Sequence, residues 1–241
     1  MDALRAPSSF ASLPFLPQTD ALTYVLRRID LQTSAVSTIA GRASVSGFSD
    51  GAGTQATFGL PTGVAMDAAG AVAVVVSLAV IRGLHHLAWS FDSLRRHMFV
   101  LQADYNGNAI RLVNLTTNVV TTIAGSAGVS GASDGVGTAA MFSRPMGVAM
   151  LGDAIGAVVA DQGNARIRFI NMSSLAVATM AGSSNGLADG AGTAAKFLAP
   201  VGCALDVPSG SIYVVRKWRK CCCGEPLTAY GSRLTGGHTC S

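Results

Sequence analysis

The chain has 241 residues, enough for one sizeable domain or two small ones. Apolar residues make up 49% of it, charged residues 12%, and there are 28 glycines. This composition argues against a disordered chain, which would carry more charge, and against a helical bundle, which would hold fewer glycines. The formal net charge of +4 is too small to indicate a nucleic-acid partner by itself.

Residues 1–23 are predicted to form an irregular segment before the first repeat. Pro7, Pro14 and Pro17 interrupt its apolar residues, so no hydrophobic region of a secretory signal forms there. The most hydrophobic stretch of the chain, Ala71–Ile81, is about half as long as a membrane-spanning helix needs to be. We therefore predict no membrane span, and the sequence does not identify a compartment.

Three segments of the chain repeat one pattern. Each begins with Thr-x-Ala-Gly, continues through a loop Asp-Gly-x-Gly-Thr and ends with Phe-x-x-Pro-x-Gly-x-Ala. The loop aspartates lie 84 and 55 residues apart, and so do the prolines. These residues are Asp50, Asp134 and Asp189, and Pro61, Pro145 and Pro200. A fixed internal period of this kind is the signature of a repeat architecture.

The longer first interval indicates an insertion at about residues 72–97, which resembles nothing in the other two units. Two explanations stay open. The segment is either an inserted loop or short helix on one face of the fold, or intron sequence that was read through. Long structureless insertions are uncommon in compact domains, which favours the second explanation.

Between the second and third loops the apolar pattern predicts four short strands, at Met146–Met150, Ala154–Ala160, Ala165–Met172 and Ala176–Ala181. In the third strand Ile167 alternates with arginine, which predicts one buried and one exposed face. Four strands in a unit of about 50 residues are typical of a propeller blade.

The loop residues have a mechanical interpretation, which the first unit illustrates. Asp50 is expected to accept N–H groups of its own turn, and the next glycine to take a positive φ. Thr54 is expected to cap a one-turn helix, and Phe58 to fill the gap between blades. A calcium site is the alternative interpretation, but each loop brings only one acidic residue, which disfavours it.

Three arginines, Arg27, Arg111 and Arg168, occupy one position of the repeat, 14 residues before its glycine. They could form a basic ring that contacts phosphates. Alternatively, each could bond to a neighbouring aspartate, Asp104 or Asp161, and serve the fold. We favour the structural interpretation.

These motifs resemble the NHL repeat, over about residues 24–215 apart from the insertion. The resemblance includes a later part of the pattern, Asp-x-x-Asn-x-x-Ile-Arg, which begins at Asp161 and recurs, with the asparagine one place later, at Asp104. It implies four-stranded blades of a ring that usually has six, and binding of proteins or RNA. A few relatives are enzymes, such as a copper- and zinc-dependent amidating lyase, but the matching blade positions here hold no histidine.

The repeat stops within a blade. Arg216 stands where the pattern requires aspartate, and residues 216–241 are predicted to form an irregular basic tail that contains cysteines. Cys221–Cys223 after basic residues could be a palmitoylated anchor, although a degenerate end explains them more simply. We therefore expect an all-β chain, an incomplete β-propeller segment of about three blade equivalents. Such a chain is a fragment, associates with a copy of itself through its open ends, or fails to fold stably; we favour a fragment.

The sequence favours an interaction or scaffold module that binds a protein partner, and we expect no enzymatic activity. The alternatives are an RNA-binding propeller and a fragment of a lyase-like or lactonase-like enzyme. No catalytic, cofactor-binding or metal-binding residue is predicted, and the binding residues are unknown. The adjacent His85 and His86 form a poor metal pair, because neighbouring residues of a strand point to opposite faces.

Overall fold

The computed structural model describes residues 15–30, 33–67, 74–76, 99–151, 156–206, 211–216 and 232–233. Within these ranges the regular structure consists of β-strands and single 3-10 turns. The strands form four antiparallel sheets. The prediction of an all-β fold is therefore confirmed.

The four sheets follow one another along the chain. Sheet 1 contains β1 (Phe15–Asp20), β2 (Val25–Asp30) and β3 (Val36–Ala40). Sheet 2 contains β4 (Gly51–Ala52), β5 (Pro61–Asp67), β6 (Val74–Val76), β7 (Phe99–Asp104), β8 (Ala109–Asn114) and β9 (Val119–Ala124). Sheet 3 contains β10 (Gly135–Val136), β11 (Pro145–Met150), β12 (Gly156–Asp161), β13 (Arg166–Asn171) and β14 (Ala176–Ala181). Sheet 4 contains β15 (Pro200–Asp206), β16 (Ser211–Arg216) and β17 (Ser232–Arg233).

Sheets 2 and 3 are complete blades. Their four main strands lie side by side in the order β5, β7, β8, β9 and β11, β12, β13, β14, which we number as positions one to four. The register is the same in both, since Pro61 pairs with Asp104 and Pro145 pairs with Asp161. The four strands predicted in sheet 3 are confirmed to within two residues at each end.

Sheets 1 and 4 are partial blades. By register with sheet 2, β1, β2 and β3 occupy positions two to four, because Asp20 pairs with Val25 as Asp104 pairs with Ala109. In sheet 4, β15 and β16 occupy positions one and two. Position-one strands β5, β11 and β15 pack side by side. Among the described residues the result is an open, propeller-like series of two complete and two partial blades, in agreement with the incomplete propeller that the sequence predicts.

Both faces of the inner blades are covered, which corrects one prediction. In β13 the side chains of Ile167 and Arg168 point to opposite faces, yet both are fully buried. The third strand was predicted to have an exposed arginine face. Neighbouring blades stack face to face, however, so each face of β13 lies against another part of the protein.

The loop before each position-one strand contains a 3-10 turn, but threonine does not cap it. The turns span Gly53–Gln55, Gly137–Ala139 and Gly192–Ala194, and no side chain bonds to their first N–H groups. The first glycine of each turn has a φ between 52° and 55°, so positive φ falls on the second glycine of the Asp-Gly-x-Gly-Thr motif. The sequence analysis expected the positive φ at the glycine directly after the aspartate, and this is correct only for Gly51.

Two strands lie in segments that were predicted to be irregular. Strand β1 falls within residues 1–23, where Pro17 is tolerated because β1 is an edge strand. Strand β17 lies in the tail and pairs two residues with the edge of β16. Both predictions missed pairing with a strand of the adjacent repeat sequence, β2 for β1 and β16 for β17, which the local sequence does not reveal.

Most of the insertion lies outside the described residues, as do all four histidines and Cys221–Cys223. Within the insertion, β6 pairs with the edge of β5 that lies opposite to β7. No helix in the described part of the chain is long and apolar enough to cross a membrane.

Candidate functional site

Arg111 joins two parts of the molecule that are far apart in sequence. It lies on β8, is fully buried, and binds Asp104 of the neighbouring strand at 3.5 Å. It also binds Asp50 of the preceding loop at 2.6 Å. The carbonyl oxygens of Ser49 and Thr57 accept two more of its hydrogen bonds, at 2.9 and 3.4 Å. We call this arrangement of one arginine between two aspartates a clasp.

The second clasp repeats the first one blade later. Arg168 lies on β13, fully buried, with Asp161 at 3.0 Å and Asp134 of the preceding loop at 2.7 Å. The carbonyl oxygens of Met141 and Ser133 accept hydrogen bonds from the guanidinium at 3.0 and 2.9 Å. The structural interpretation of the repeated arginines is therefore confirmed for Arg111 and Arg168, because neither side chain reaches solvent where a phosphate could bind.

A buried aromatic ring completes each clasp. The guanidinium of Arg111 lies 5.5 Å from the ring centre of Phe58, and that of Arg168 lies 5.2 Å from the ring centre of Phe142. Both rings are fully buried. An arginine over an aromatic face gains electrostatic attraction where water is excluded. The prediction that these phenylalanines fill the space between blades is confirmed.

The loop aspartates bind the next sheet, not their own turn, which corrects the expectation of a local turn. Asp50 accepts the N–H and hydroxyl of Thr122 on β9, both at 3.0 Å. Asp134 accepts the same two groups of Thr179 on β14, at 3.1 and 2.9 Å. Each loop is thus fastened across the outer strands of the sheet that follows it.

In the second clasp the pKa values of the two aspartates, Asp134 and Asp161, are shifted in opposite directions. Burial raises the pKa of Asp104 and of Asp161, although N–H donors and the adjacent arginine offset part of this effect. Burial also acts to raise the pKa of Asp134, but hydrogen bonds from Thr179 and the guanidinium of Arg168 outweigh it and lower the pKa. In the second clasp the ionised form is therefore favoured at the surface, on Asp134, and disfavoured inside, on Asp161.

The carboxylates are occupied by protein donors, which leaves little for a metal ion. Asp104 accepts the N–H groups of Gly59, Leu60 and Gly107, and Asp161 accepts those of Ser143 and the Asn164 side chain. Within the described ranges there is no group of three acidic, histidine or cysteine side chains that could hold a metal. Each loop contributes a single acidic side chain, whereas calcium sites usually combine several carboxylates and carbonyl oxygens.

At the two ends of the series the clasp is incomplete. Arg27 lies 3.9 Å from Asp20, its side chain is 40% exposed, and no loop aspartate reaches it within the described residues. Asp189 is exposed and has no ion-pair partner among the described residues. Phe197 is only partly buried. Arg216 pairs with Pro200 at the position of the buried aspartate and is itself exposed.

One edge of the series carries exposed apolar side chains on equivalent loops. We call the edge formed by residues 42–50, 126–134 and 183–189 the loop rim. Its exposed large apolar residues are Val45, Phe48, Val129 and Leu187. The ring of Phe48 approaches the next loop, since a Cβ added at Gly128 would lie 3.3 Å from it. Sequence reasoning missed these residues, although two of them, Val45 and Val129, precede the loop aspartate by five positions.

Neither family models nor curated proteins match this chain. Among solved structures it is similar to a protein of unknown function from Bacteroides thetaiotaomicron, with a TM-score of 0.57 and 17% identity. That match covers 85% of this chain and 42% of the other. Auxiliary nutrient binding proteins from Bacteroides ovatus and Bacteroides thetaiotaomicron match with TM-scores of 0.44 and 0.42, at 12% and 14% identity. These matches cover 85% and 83% of this chain, and 64% and 63% of the others.

The fold and the first of these similarities define the class. In the ranges that the structure describes, the chain is an all-β, propeller-like series of antiparallel sheets that does not close into a ring. It spans less than half the length of the solved protein with which it shares this fold.

Proposed function

We propose that this chain is a non-catalytic binding module of the NHL-repeat propeller type and that it binds a protein partner through the loop rim. The NHL assignment is supported by the residues that define the resemblance, because the repeated Asp, Arg and Phe meet in the two clasps. A role in the fold is enough to explain why the pattern recurs, which supports a module that does not depend on these residues for catalysis.

The observation that carries the proposal is the row of exposed apolar side chains on the loop rim. The clasps do not use these side chains, and Phe48 extends the row from one loop to the next. Exposed apolar side chains on adjacent loops, surrounded by polar residues, favour contact with another protein. The rim therefore offers an apolar surface that the clasps leave free for a partner.

RNA binding is the weaker alternative. Two of the three repeated arginines, Arg111 and Arg168, are fully buried, and both terminal nitrogens of each donate to protein acceptors. A phosphate contact needs an accessible cation, and affinity that depends on phosphate falls steeply with salt. Self-association through the open ends, which the sequence also raises, would involve the sheets at the ends and not the loop rim.

The experiment uses a photo-reactive residue in place of Phe48 to capture the partner, followed by calorimetry with the purified partner. We expect Phe48→Ser combined with Val129→Ser to weaken binding at least about tenfold, since central apolar contacts dominate interface energies. Val36→Ser is the matched control, because Val36 is exposed but lies at the start of β3, the end of that strand remote from the rim.

Two results would overturn the proposal. In the first, the captured partner binds the rim variant as tightly as the original chain. In the second, no protein is captured while a uridine-rich RNA binds at low salt and is released as salt increases, which would favour the RNA-binding alternative.

A further inference from the structure

We propose that the partner binds the loop rim through an acidic segment, whose carboxylates contact Arg42, Arg144 and Lys196. This inference rests on the proposed function, because it names the chemistry of the partner that the rim binds. It is carried by positive charges that have no counter-ion among the described residues and lie beside the exposed apolar side chains of the rim. A segment that combines carboxylates with apolar side chains complements both features.

Two of these cations lie on the first and third rim loops. Arg42 begins the first loop, in a turn that is closed by the N–H of Val45 donating to the carbonyl oxygen of Arg42 at 3.1 Å. Lys196 lies against the third loop, since its backbone N–H donates to the carbonyl oxygen of Ala188 at 2.9 Å. A Cβ added at Gly186 of this loop would lie 3.1 Å from Cδ of Lys196. Both cations are exposed, so each of these loops presents a positive charge beside its exposed apolar side chains.

The third cation, Arg144, lies beside the second rim loop and over an aromatic ring. The hydroxyl of the preceding residue, Ser143, lies 3.0 Å from that of Ser130 in this loop. The backbone N–H of Arg144 donates to the side-chain oxygen of Asn108 at 2.8 Å, and its guanidinium lies 6.0 Å from the ring centre of Tyr105. Arg144 is exposed. The ring therefore orients the guanidinium while its N–H groups stay accessible to a carboxylate.

The carboxylates of the rim do not neutralise these cations. Among the described residues, none of the three makes an ion pair. Asp50 and Asp134, in the first two rim loops, are bound to the buried arginines of the clasps and add little negative charge to the surface. Asp189, in the third loop, is the one rim carboxylate without such a partner in the described ranges. The rim and its border therefore carry an excess of positive charge, which favours a negatively charged partner.

The repeat does not require a cation at any of these three positions, because another unit has a neutral residue there. The equivalent residues are Ser126 for Arg42, Ala199 for Arg144 and Met141 for Lys196. Ala199 has a φ of 49°, against 51° for Arg144, so this left-handed backbone conformation does not depend on the arginine. The three positive charges are therefore not part of the pattern that forms the blades, which supports a role in binding.

A protein segment fits this surface better than an RNA strand, although the cations are accessible to both. The exposed apolar side chains of the rim are mostly aliphatic, and Val45, Val129 and Leu187 offer no flat surface on which bases stack. Phe48 is the one aromatic side chain among them. A strand with a phosphate at every nucleotide would also approach the loop aspartates, of which the Asp50 side chain is 48% exposed. A protein segment can place a few carboxylates at the cations and apolar side chains between them.

The test selects short peptides from a random displayed library on the full chain. We expect the selected peptides to be enriched in aspartate and glutamate next to large apolar residues, relative to the library before selection. The most enriched peptide is then synthesised, and its affinity for the full chain is measured by calorimetry at low and at physiological salt. The affinity should fall as salt increases, because the charged contacts lie at the surface and are screened.

The variants replace each cation by the residue that another unit has at the same position, so the fold should be retained. The combined variant Arg42→Ser, Arg144→Ala and Lys196→Met should bind the selected peptide at least about tenfold more weakly. Replacing the acidic residues of the peptide by their amides should cause the same loss with the original chain and little further loss with the combined variant. Arg28→Gln is the control, since it removes a positive charge in the middle of sheet 1 and should change the affinity less than about twofold.

The outcomes separate this inference from the proposed function. Selected peptides without acidic residues that lose affinity with Phe48→Ser would overturn the acidic partner and leave the rim as the binding surface. Acidic peptides that bind the combined variant, folded by circular dichroism, as tightly as the original chain would overturn the assignment of the three cations.

Two further outcomes concern the rim itself. Acidic peptides that depend on the three cations but not on Phe48 and Val129 would support the charged contacts and contradict the apolar contacts that carry the proposed function. If no peptide is selected while a uridine-rich RNA binds the original chain and not the combined variant, the cations serve RNA. That result would overturn both proposals.

Discussion

The inner blades and the end sheets contain the same repeated residues in different states. In sheets 2 and 3 the arginine is fully buried between two aspartates and over a phenylalanine ring. In sheet 1 the equivalent Arg27 is 40% exposed and lies near one aspartate. At the other end Asp189 and Phe197 have no arginine between them among the described residues. The comparison shows that the repeat encodes the junction between successive units.

Burial explains why the two states differ. A buried guanidinium loses its hydration and is stable only when several acceptors replace the water. Arg168 receives two carboxylates and two carbonyl oxygens, of which one carboxylate and both carbonyls come from the preceding loop region. Arg27 lacks such a loop within the described ranges and keeps part of its side chain in solvent.

Removing the arginine gives the largest expected contrast. Arg168→Met leaves Asp161 buried without its cation, and we expect the free energy of unfolding to fall by about 3–5 kcal/mol. Arg27→Met at the exposed end should cost less than about 1 kcal/mol. Urea unfolding followed by circular dichroism, at a concentration where the chain is monomeric, measures both. Equal losses for the two variants would contradict the distinction between inner and end positions.

The phenylalanines should show the same contrast, more weakly. Phe142 is fully buried beneath Arg168, and we expect Phe142→Ala to cost about 3–5 kcal/mol. Phe197 is partly buried, and Phe197→Ala should cost about 1–2 kcal/mol. The cost is smaller because folding removes less apolar surface of this side chain from water. The same unfolding measurement compares them. A larger loss at Phe197 would show that the end sheet is more closely packed than the partial burial of this ring indicates.

Replacing glycine by alanine distinguishes a position-one strand that packs against the next blade from one that has no such neighbour among the described residues. Gly147→Ala places its Cβ within 2.7 Å of the backbone of Gly202 and Val201, and we expect a cost of about 1–3 kcal/mol. Gly202→Ala should change stability by less than about 0.5 kcal/mol in the monomer. Thermal melting at low protein concentration provides the measurement. A destabilised Gly202→Ala monomer would indicate that this surface is already covered.

The smallest expected effect concerns the loop aspartates. At neutral pH we expect Asp134→Asn to cost about 1 kcal/mol through its bonds to Arg168 and Thr179, and Asp189→Asn to cost less than about 0.5 kcal/mol. The pKa of Asp134 is lowered in the fold, so its contribution is present above the usual aspartate pKa and lost as pH falls through the lowered value. The difference between the original chain and Asp134→Asn should therefore shrink in acid. A difference that grows in acid would contradict this assignment.

The sequence predicted the fold because the information is local and repeated. Strand lengths and turns follow from apolar periodicity and from glycine and proline positions. The spacing of 84 and 55 residues between equivalent positions showed which segments of the chain form equivalent units. The failures concern pairing between distant segments. The aspartate loop was expected to bond to itself, whereas Asp50 bonds to Thr122, 72 residues away. Local sequence does not contain that information.

The site was predicted only in part. The shared position of Arg111 and Arg168 was visible, and the choice of a structural role was correct. Their full burial was missed, because an alternating strand looks half-exposed until the neighbouring blade is placed on it. The apolar residues of the loop rim were missed for a related reason, since only the folded chain shows that Phe48 approaches Gly128 of the next loop.

The central claim is that a loop aspartate and a strand arginine fasten each blade to the loop that precedes it. A double-mutant cycle tests it most directly, with Asp134→Asn, Arg168→Met and the double variant in urea unfolding. We expect a coupling energy of about 1–2 kcal/mol between the two residues, as for a hydrogen bond with a charged partner that is partly exposed. The same cycle for Asp189 and Arg27 in the monomer should give about zero. A coupling near zero for Asp134 and Arg168 would contradict the claim.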